Sequence, residues 1–241
     1  MTLDGKTILI TGSAKRLGLH FALTVAHAGA NVILHHAHSQ DEAQFAADEI
    51  TRLGRKAWII QADLGDLQQA QDLIEKAWGF SPIYGLVNNA AIFEPLKLAD
   101  TTLTDWQRHL DINLTAPFLL CQSFKKFLPE SDPGRIINIL DWRALRPGRD
   151  HFPYTISKAA LAALTKSLAL VMAPQITVNG LALGAILPPS DGSDSSRLVK
   201  NIPAGRWANL DEVGQALNFL LEGPAYITGE IIHVDGGRHL V

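Results

Sequence analysis

The chain has 241 residues, a formal charge of −3, a pI near 6.3 and a single cysteine. That charge balance argues against a nucleic-acid-binding or polybasic membrane surface. Cys121 alone cannot form an internal disulfide, which fits a reducing cytoplasm, and the opening M-T-L-D-G-K-T lacks the regions of a signal peptide.

Short β-rich runs alternate with amphipathic segments from end to end. Thr7–Thr11 (T-I-L-I-T) predicts a strand buried on both faces. Leu17–Ala28 predicts a helix stopped by Gly29, and Asn31–His35 a second strand. S-Q-D-E from Ser39 reads as a capping box for a helix over 40–53. Ala57–Gln61 is a third strand, and Asp66 opens the next helix in the same way. Tyr84–Asn88 follows as the fourth strand, and Thr104 to Gln107 predicts the cap of one long helix reaching about Leu128. Gly134 starts a fifth strand, Ile136–Leu140, which leads through a polar loop into a helix bearing Tyr154 and Lys158. Ile176–Asn179 reads as strand six, Asn209 caps a helix ending near Glu222, and Ile231–Val234 is the last strand.

With no repeat or long linker, the chain reads as one domain over 1–241, with a cofactor half to about 130 and a catalytic half beyond it. Strict alternation predicts an α/β fold: a doubly wound parallel sheet of about seven strands, helices on both faces, right-handed crossovers. Ligands of such sheets bind at the carboxyl ends of the strands. The apolar span Ser167 to Pro189 is interrupted by Pro174, Gln175, Asn179 and Gly184 and does not fit a membrane helix. L-P-P-S-D-G-S-D-S-S, from Leu187, predicts a mobile lid over about 187–200; a plain connection is the alternative.

Thr11–Gly18, T-G-S-A-K-R-L-G, is a glycine turn feeding a helix N-terminus, an arrangement that aims backbone N–H groups at a phosphate. Gly12 permits the turn, and Gly18 permits close approach of a pyrophosphate or of the sheet. Tyr154 and Lys158 are four apart, on one face of a helix. The ammonium is expected to lower the phenol pKa and make Tyr154 a proton donor near neutrality. Either feature alone is weak.

Together they resemble the short-chain dehydrogenase/reductase family, along nearly the whole chain. The turn is similar to the family's T-G-x-x-x-G-x-G, with Arg16 in place of the central glycine. Asp63 matches the adenine contact, Asn88–Asn89–Ala90 the N-N-A motif, and Asp235–Gly236–Gly237 the C-terminal D-G-G. Asn113, Tyr154 and Lys158 match the catalytic asparagine, tyrosine and lysine, with Asn113 supporting a water relay. The resemblance implies a Rossmann-like fold, a nicotinamide cofactor, a cytoplasmic homotetramer, and further cofactor contacts from Leu17, Leu64, Asn89, Ala90, Gly184 and Ile186.

The end of strand two, L-H-H-A-H-S, has no acidic residue to take a ribose hydroxyl. Arg16, His35, His38 and Ser39 can instead donate to a 2′-phosphate, which favours NADPH. A metal site on His35, His36 and His38 is the weaker reading, with no acidic or cysteine ligand close by. The family's usual serine, thirteen residues before the tyrosine, is Asp141 here. An ionised carboxylate cannot polarise a carbonyl; it suits a substrate N–H or, with a raised pKa, an imine nitrogen. Asp141 could also simply cap the following loop. Arg16, Phe93 and Asp141 together resemble the pteridine and dihydromonapterin reductase branch, in which a pterin lies between the phenylalanine and the nicotinamide. The expected activity is NADPH-dependent reduction of a dihydropteridine, with Arg16, Phe93, Asp141 and Tyr154 at the substrate. A carbonyl or 3-oxoacyl reductase and a non-catalytic NADPH-binding regulator are the alternatives. Trp142 and Arg143 could line the pocket or pack in the loop, and Arg238 could reach a neighbouring subunit's site.

Overall fold

A computed structural model describes residues 3–187, 199–200 and 202–241. Its strands are β1 (Thr7–Ile10), β2 (Asn31–His36), β3 (Ala57–Gln61), β4 (Gly85–Asn88), β5 (Gly134–Asp141), β6 (Ile176–Leu183) and β7 (Ile231–Val234). They form one sheet in the order β3-β2-β1-β4-β5-β6-β7, every pair parallel. The direction of winding reverses between β1 and β4, the crevice where such sheets bind ligands. The helices are α1 (Arg16–His27), α2 (Gln40–Arg52), α3 (Leu67–Trp78), α4 (Leu103–Leu110), α5 (Ala116–Phe127), α6 (Phe152–Met172) and α7 (Leu210–Glu222).

Alternate residues of each strand face opposite layers. Ile8 and Ile10 of β1 pack with Phe21, Val25, Val213 and Leu217 under α1 and α7. Leu9, between them, faces Leu73, Leu120 and Phe124 under α3 and α5. All these side chains are fully buried. Each contributes about 1.5–3 kcal/mol of hydrophobic stabilisation. The two cores clamp the central strands, so their carboxyl ends form a rigid edge.

Three expectations need correction. The long helix to Leu128 is broken: Thr102, boxed with Asp105, caps α4, and a π-helical turn over Asp111–Thr115 separates it from α5. Strand β6 continues past Asn179 to Leu183. Its Asn-Gly pair resembles a turn signal, but the Asn179 side chain bonds Ile227 O and Glu230 N–H instead, across to the β7 side. Ser39 stands at the N-cap of α2 but makes no side-chain capping bond. Asp66 and Asn209 do cap α3 and α7 as expected. Helix α6 is apolar and long enough to cross a bilayer by length and composition; half of its most apolar window is buried against the domain. The lid expected over 187–200 falls mostly at 188–198, outside the described residues.

Candidate active site

Strand β1 is followed by Thr11, whose hydroxyl accepts from the N–H groups of Asn89 (2.9 Å) and Ala90 (3.0 Å). Asn89 Nδ2 donates in turn to the carbonyls of Thr11 (2.8 Å) and Gly12 (3.1 Å). These bonds lock the glycine turn to the N-N-A segment after β4. Gly12 has φ +62°, and a Cβ there would sit 3.0 Å from Ala90 Cα. A Cβ on Gly18 would lie 2.1 Å from Gly12 O, so this glycine serves packing of the turn on itself. Arg16 has φ +55°, a left-handed conformation that a non-glycine residue adopts at a cost. Lys15, the N-cap of α1, offers no side-chain cap, and the first turn has no acidic residue. Its N–H groups and dipole therefore suit a phosphate.

His35 corrects one expectation. It is 2% exposed, its Nδ1 accepts from Gly12 N–H (3.0 Å), and its Nε2 lies 3.0 Å from Ala62 O, which fixes the tautomer. Burial pulls its pKa down to about 4. A neutral ring with both nitrogens engaged cannot donate to a 2′-phosphate or ligate a metal; it pins the glycine turn. The remaining candidates at this end are exposed His38, half-buried Ser39 and Arg16. Asp63 follows β3, where its Oδ1 accepts from Gly65 N–H (2.8 Å). Leu64 is buried in the core beneath α3, so only its main chain can face a cofactor. At the other side of the crevice, Gly184 approaches Asp235 so closely that a Cβ would meet its Cα at 2.6 Å, and Ile186 packs into the core beneath α1 and α7.

At the centre, β5 delivers Asp141 and α6 delivers Tyr154 and Lys158. Tyr154 Oη donates to Asp141 Oδ2 (3.4 Å), while Asp141 Oδ1 accepts from Arg143 N–H (2.8 Å). The aspartate thus caps the turn over Trp142–Ala144 and addresses the tyrosine with its other oxygen. Burial pushes the Asp141 pKa up, against the Arg143 N–H bond, Arg143 and Lys158. Contrary to expectation, the Tyr154 pKa lies well above the ordinary phenol value: burial raises it, and the Asp141 charge raises it further. Lys158 does not offset this. Its Nζ donates to Ile139 O (2.7 Å) and stands 5.9 Å from the phenol ring centre; burial lowers its pKa to about 8.

The π turn carries Asn113, fully buried. Its amide accepts from Ile92 N–H (2.9 Å) and donates to Ile92 O (3.1 Å) and Ser157 Oγ (3.0 Å). The side chain is committed as a brace between the loop after β4 and α6. That brace positions Phe93, which meets Tyr154 edge-on at 4.6 Å between ring centres. Phe93 is 52% exposed despite a parallel contact with His151 at 3.8 Å. His151 precedes α6 in a left-handed conformation (φ +51°) and had no signal in the sequence beyond its place three residues before the tyrosine. Arg143 joins this group, 3.6 Å from Asp141 and 3.3 Å from Asp150. The guanidinium of Arg238 lies 4.5 Å from the Trp142 ring centre of its own chain.

The site therefore offers a phosphate-seeking helix end, a buried acid pair able to hold and pass a proton, and an exposed aromatic face beside it. Known proteins are similar to this chain over nearly its whole length. Residues 12–239 match the family described as enoyl-(acyl carrier protein) reductase. A 3-oxoacyl-[acyl-carrier-protein] reductase of Synechocystis is 32% identical over 98% of this chain and 97% of its own. The FolM alternative dihydrofolate reductase 1 of Brucella canis, solved with NADP, superposes with a TM-score of 0.92 at 35% identity, covering 100% of this chain and 97% of that one. A short-chain dehydrogenase of Burkholderia cenocepacia, also with NADP, gives 0.92 at 32% identity, with 99% of each chain covered.

Proposed function

The chain belongs to the short-chain dehydrogenase/reductase family, an NAD(P)-dependent oxidoreductase, and on that premise we propose that it reduces a C=N bond of a dihydropteridine with NADPH. The observation that carries this reading is Asp141, within hydrogen-bond reach of Tyr154 where a carbonyl reductase of this family has a serine.

The residues fit a dinucleotide: the uncapped α1 terminus suits its pyrophosphate, and the absence of a carboxylate at the end of β2, with His38 and Ser39 just beyond it and Arg16 in the glycine turn, suits a 2′-phosphate. Lys158 and Tyr154 would hold the nicotinamide ribose. When bound, the reduced nicotinamide supplies a hydride for the ring carbon. The protein's part is the proton. Tyr154, its pKa raised, keeps its proton at neutral pH and presents it beside Asp141. A pterin ring nitrogen taking up a proton at this pair leaves a negative charge, which Lys158 (largely protonated below about pH 8) and Arg143 oppose. Phe93 offers the flat bicycle a stacking face. Asp141 with a raised pKa can also donate, and so hydrogen-bond an imine nitrogen.

The test is to mix the full chain with NADPH and 7,8-dihydrobiopterin or dihydromonapterin and follow loss of NADPH absorbance. A 3-oxoacyl reductase is the second reading, favoured by the name of the Synechocystis relative; turnover of acetoacetyl thioesters without any pterin turnover would establish it instead.

A further inference from the structure

Phe93 sits in a segment tied at both ends to the start of α6. Asn113 bonds both main-chain groups of Ile92 and donates to Ser157 Oγ, and Leu96 O accepts from Phe152 N–H (2.7 Å). The residue that meets Phe93 across this seam is His151. The two rings lie 3.8 Å apart and within 7° of parallel. The His151 side chain is 15% exposed, with Nδ1 3.1 Å from Asp150 Oδ2. Burial lowers its pKa, so near neutral pH it meets Phe93 as an uncharged ring.

The backbone at His151 points to a role for that ring. The residue is the N-cap of α6 at φ +51° and ψ +49°, the left-handed region, and its side chain makes no capping bond. Glycine adopts this conformation without steric cost and is well accepted at an N-cap. The helix therefore has no need of an imidazole here. Strained backbone of this kind persists where the surroundings over-determine it, and it gathers at ligand clamps. With His151 on one face and Tyr154 edge-on at 4.6 Å, Phe93 is still 52% exposed, so its open surface lies away from His151.

We propose that His151 is a positioning residue for the substrate: it holds Phe93 in the plane on which a flat ring stacks, on the face away from the imidazole. This rests on the pterin reading, in which the ring stacks on Phe93. Without His151, Phe93 must be ordered at the moment of binding, and immobilising one side chain weakens binding by about 2- to 13-fold. The effect falls on the substrate KM. The proton donor and the cofactor site are untouched, so kcat and the KM for NADPH stay.

The full chain, His151→Gly and His151→Phe are assayed with NADPH and 7,8-dihydrobiopterin, and their melting temperatures are measured. His151→Gly removes the ring and relieves the left-handed backbone, so it should melt no lower than the parent. Its KM for the pterin is expected to rise about 2- to 13-fold, with kcat and the KM for NADPH unchanged. His151→Phe, which keeps a flat ring, should restore the parent KM. An unchanged KM in His151→Gly, or a KM in His151→Phe no better than in His151→Gly, overturns the inference. A lowered melting temperature with both KM values raised also overturns it, because that is a general loss of structure. If the parent reduces no pterin, the dihydropteridine reading fails by itself. His151 is then decided by titrating the NADP-loaded proteins with biopterin, whose own fluorescence reports binding without turnover. Saturable binding that weakens in His151→Gly and recovers in His151→Phe supports the role; no binding, or equal binding by all three, refutes it.

Discussion

Protonation of His35 should unfasten the cofactor turn. The ring is a hydrogen-bond acceptor for Gly12 N–H through Nδ1, and a protonated imidazole has no acceptor. Its pKa falls from 6.5 to about 4 on folding, mainly because burial disfavours the charged form. The unfolded chain therefore binds more protons than the native one between those two values, and stability rises with pH across that window. At 1.36 kcal/mol per pKa unit, the loss on acidifying from pH 6.5 to about 4 is roughly 3 kcal/mol. It should be absent above pH 6.5, where both states are neutral at this residue. His35→Phe keeps the ring volume but orphans the Gly12 N–H and the Ala62 carbonyl, costing about 1–3 kcal/mol for each. The variant should be less stable at neutral pH and should lose less stability on acidification. Urea unfolding followed by circular dichroism at a series of pH values measures both. Equal acid slopes for the two proteins, after allowing for the shared carboxylates, would refute this role for His35.

Gly18→Ala places a Cβ against Gly12 O at 2.1 Å. It should lower the melting temperature and weaken NADPH binding, measured by thermal shift with and without cofactor; a variant as stable and as tight-binding as the parent would count against the turn geometry. Lys158 has a pKa of about 8, so its positive charge is present below that pH and lost above it. The KM for NADPH should rise as the pH passes about 8, and a flat profile through that region would contradict a charged role in cofactor binding. Tyr154→Phe removes the donated proton and should reduce kcat by about 10²–10⁴-fold, the usual range for a general acid, with NADPH affinity measured by fluorescence changed far less.

Much of this site was legible in sequence because strand periodicity and motif order do not depend on distant partners. The runs at β3 and β7 match their strands to the residue, and Asp141 emerges at a strand end beside Tyr154. What escaped depends on tertiary surroundings. The four-residue spacing of Tyr154 and Lys158 suggested direct electrostatic lowering of the phenol pKa, yet the ammonium turns to Ile139 O and burial dominates. His35 looked like a phosphate donor because sequence cannot report that both ring nitrogens are taken by backbone groups from other loops. The break at Asp111–Thr115 has a local cause in Pro117, which has no N–H for the Asn113 carbonyl, and it accompanies the amide brace of Asn113 to Ile92 and Ser157.

The central claim is that Asp141 adapts a carbonyl-reducing scaffold to a C=N substrate. Asp141→Ser tests it with little structural cost, because serine can still accept from the Arg143 N–H and cap the turn. A hydrogen bond to a charged group is worth about 1.5–3 kcal/mol, or about 10- to 150-fold in rate at 1.36 kcal/mol per decade. The decisive measurement is kcat/KM with NADPH for 7,8-dihydrobiopterin and for an acetoacetyl thioester, on the parent protein and Asp141→Ser side by side. The expected result is pterin turnover by the parent, lost by that factor in the variant while thioester turnover rises. Thioester turnover by the parent with no pterin turnover would contradict it.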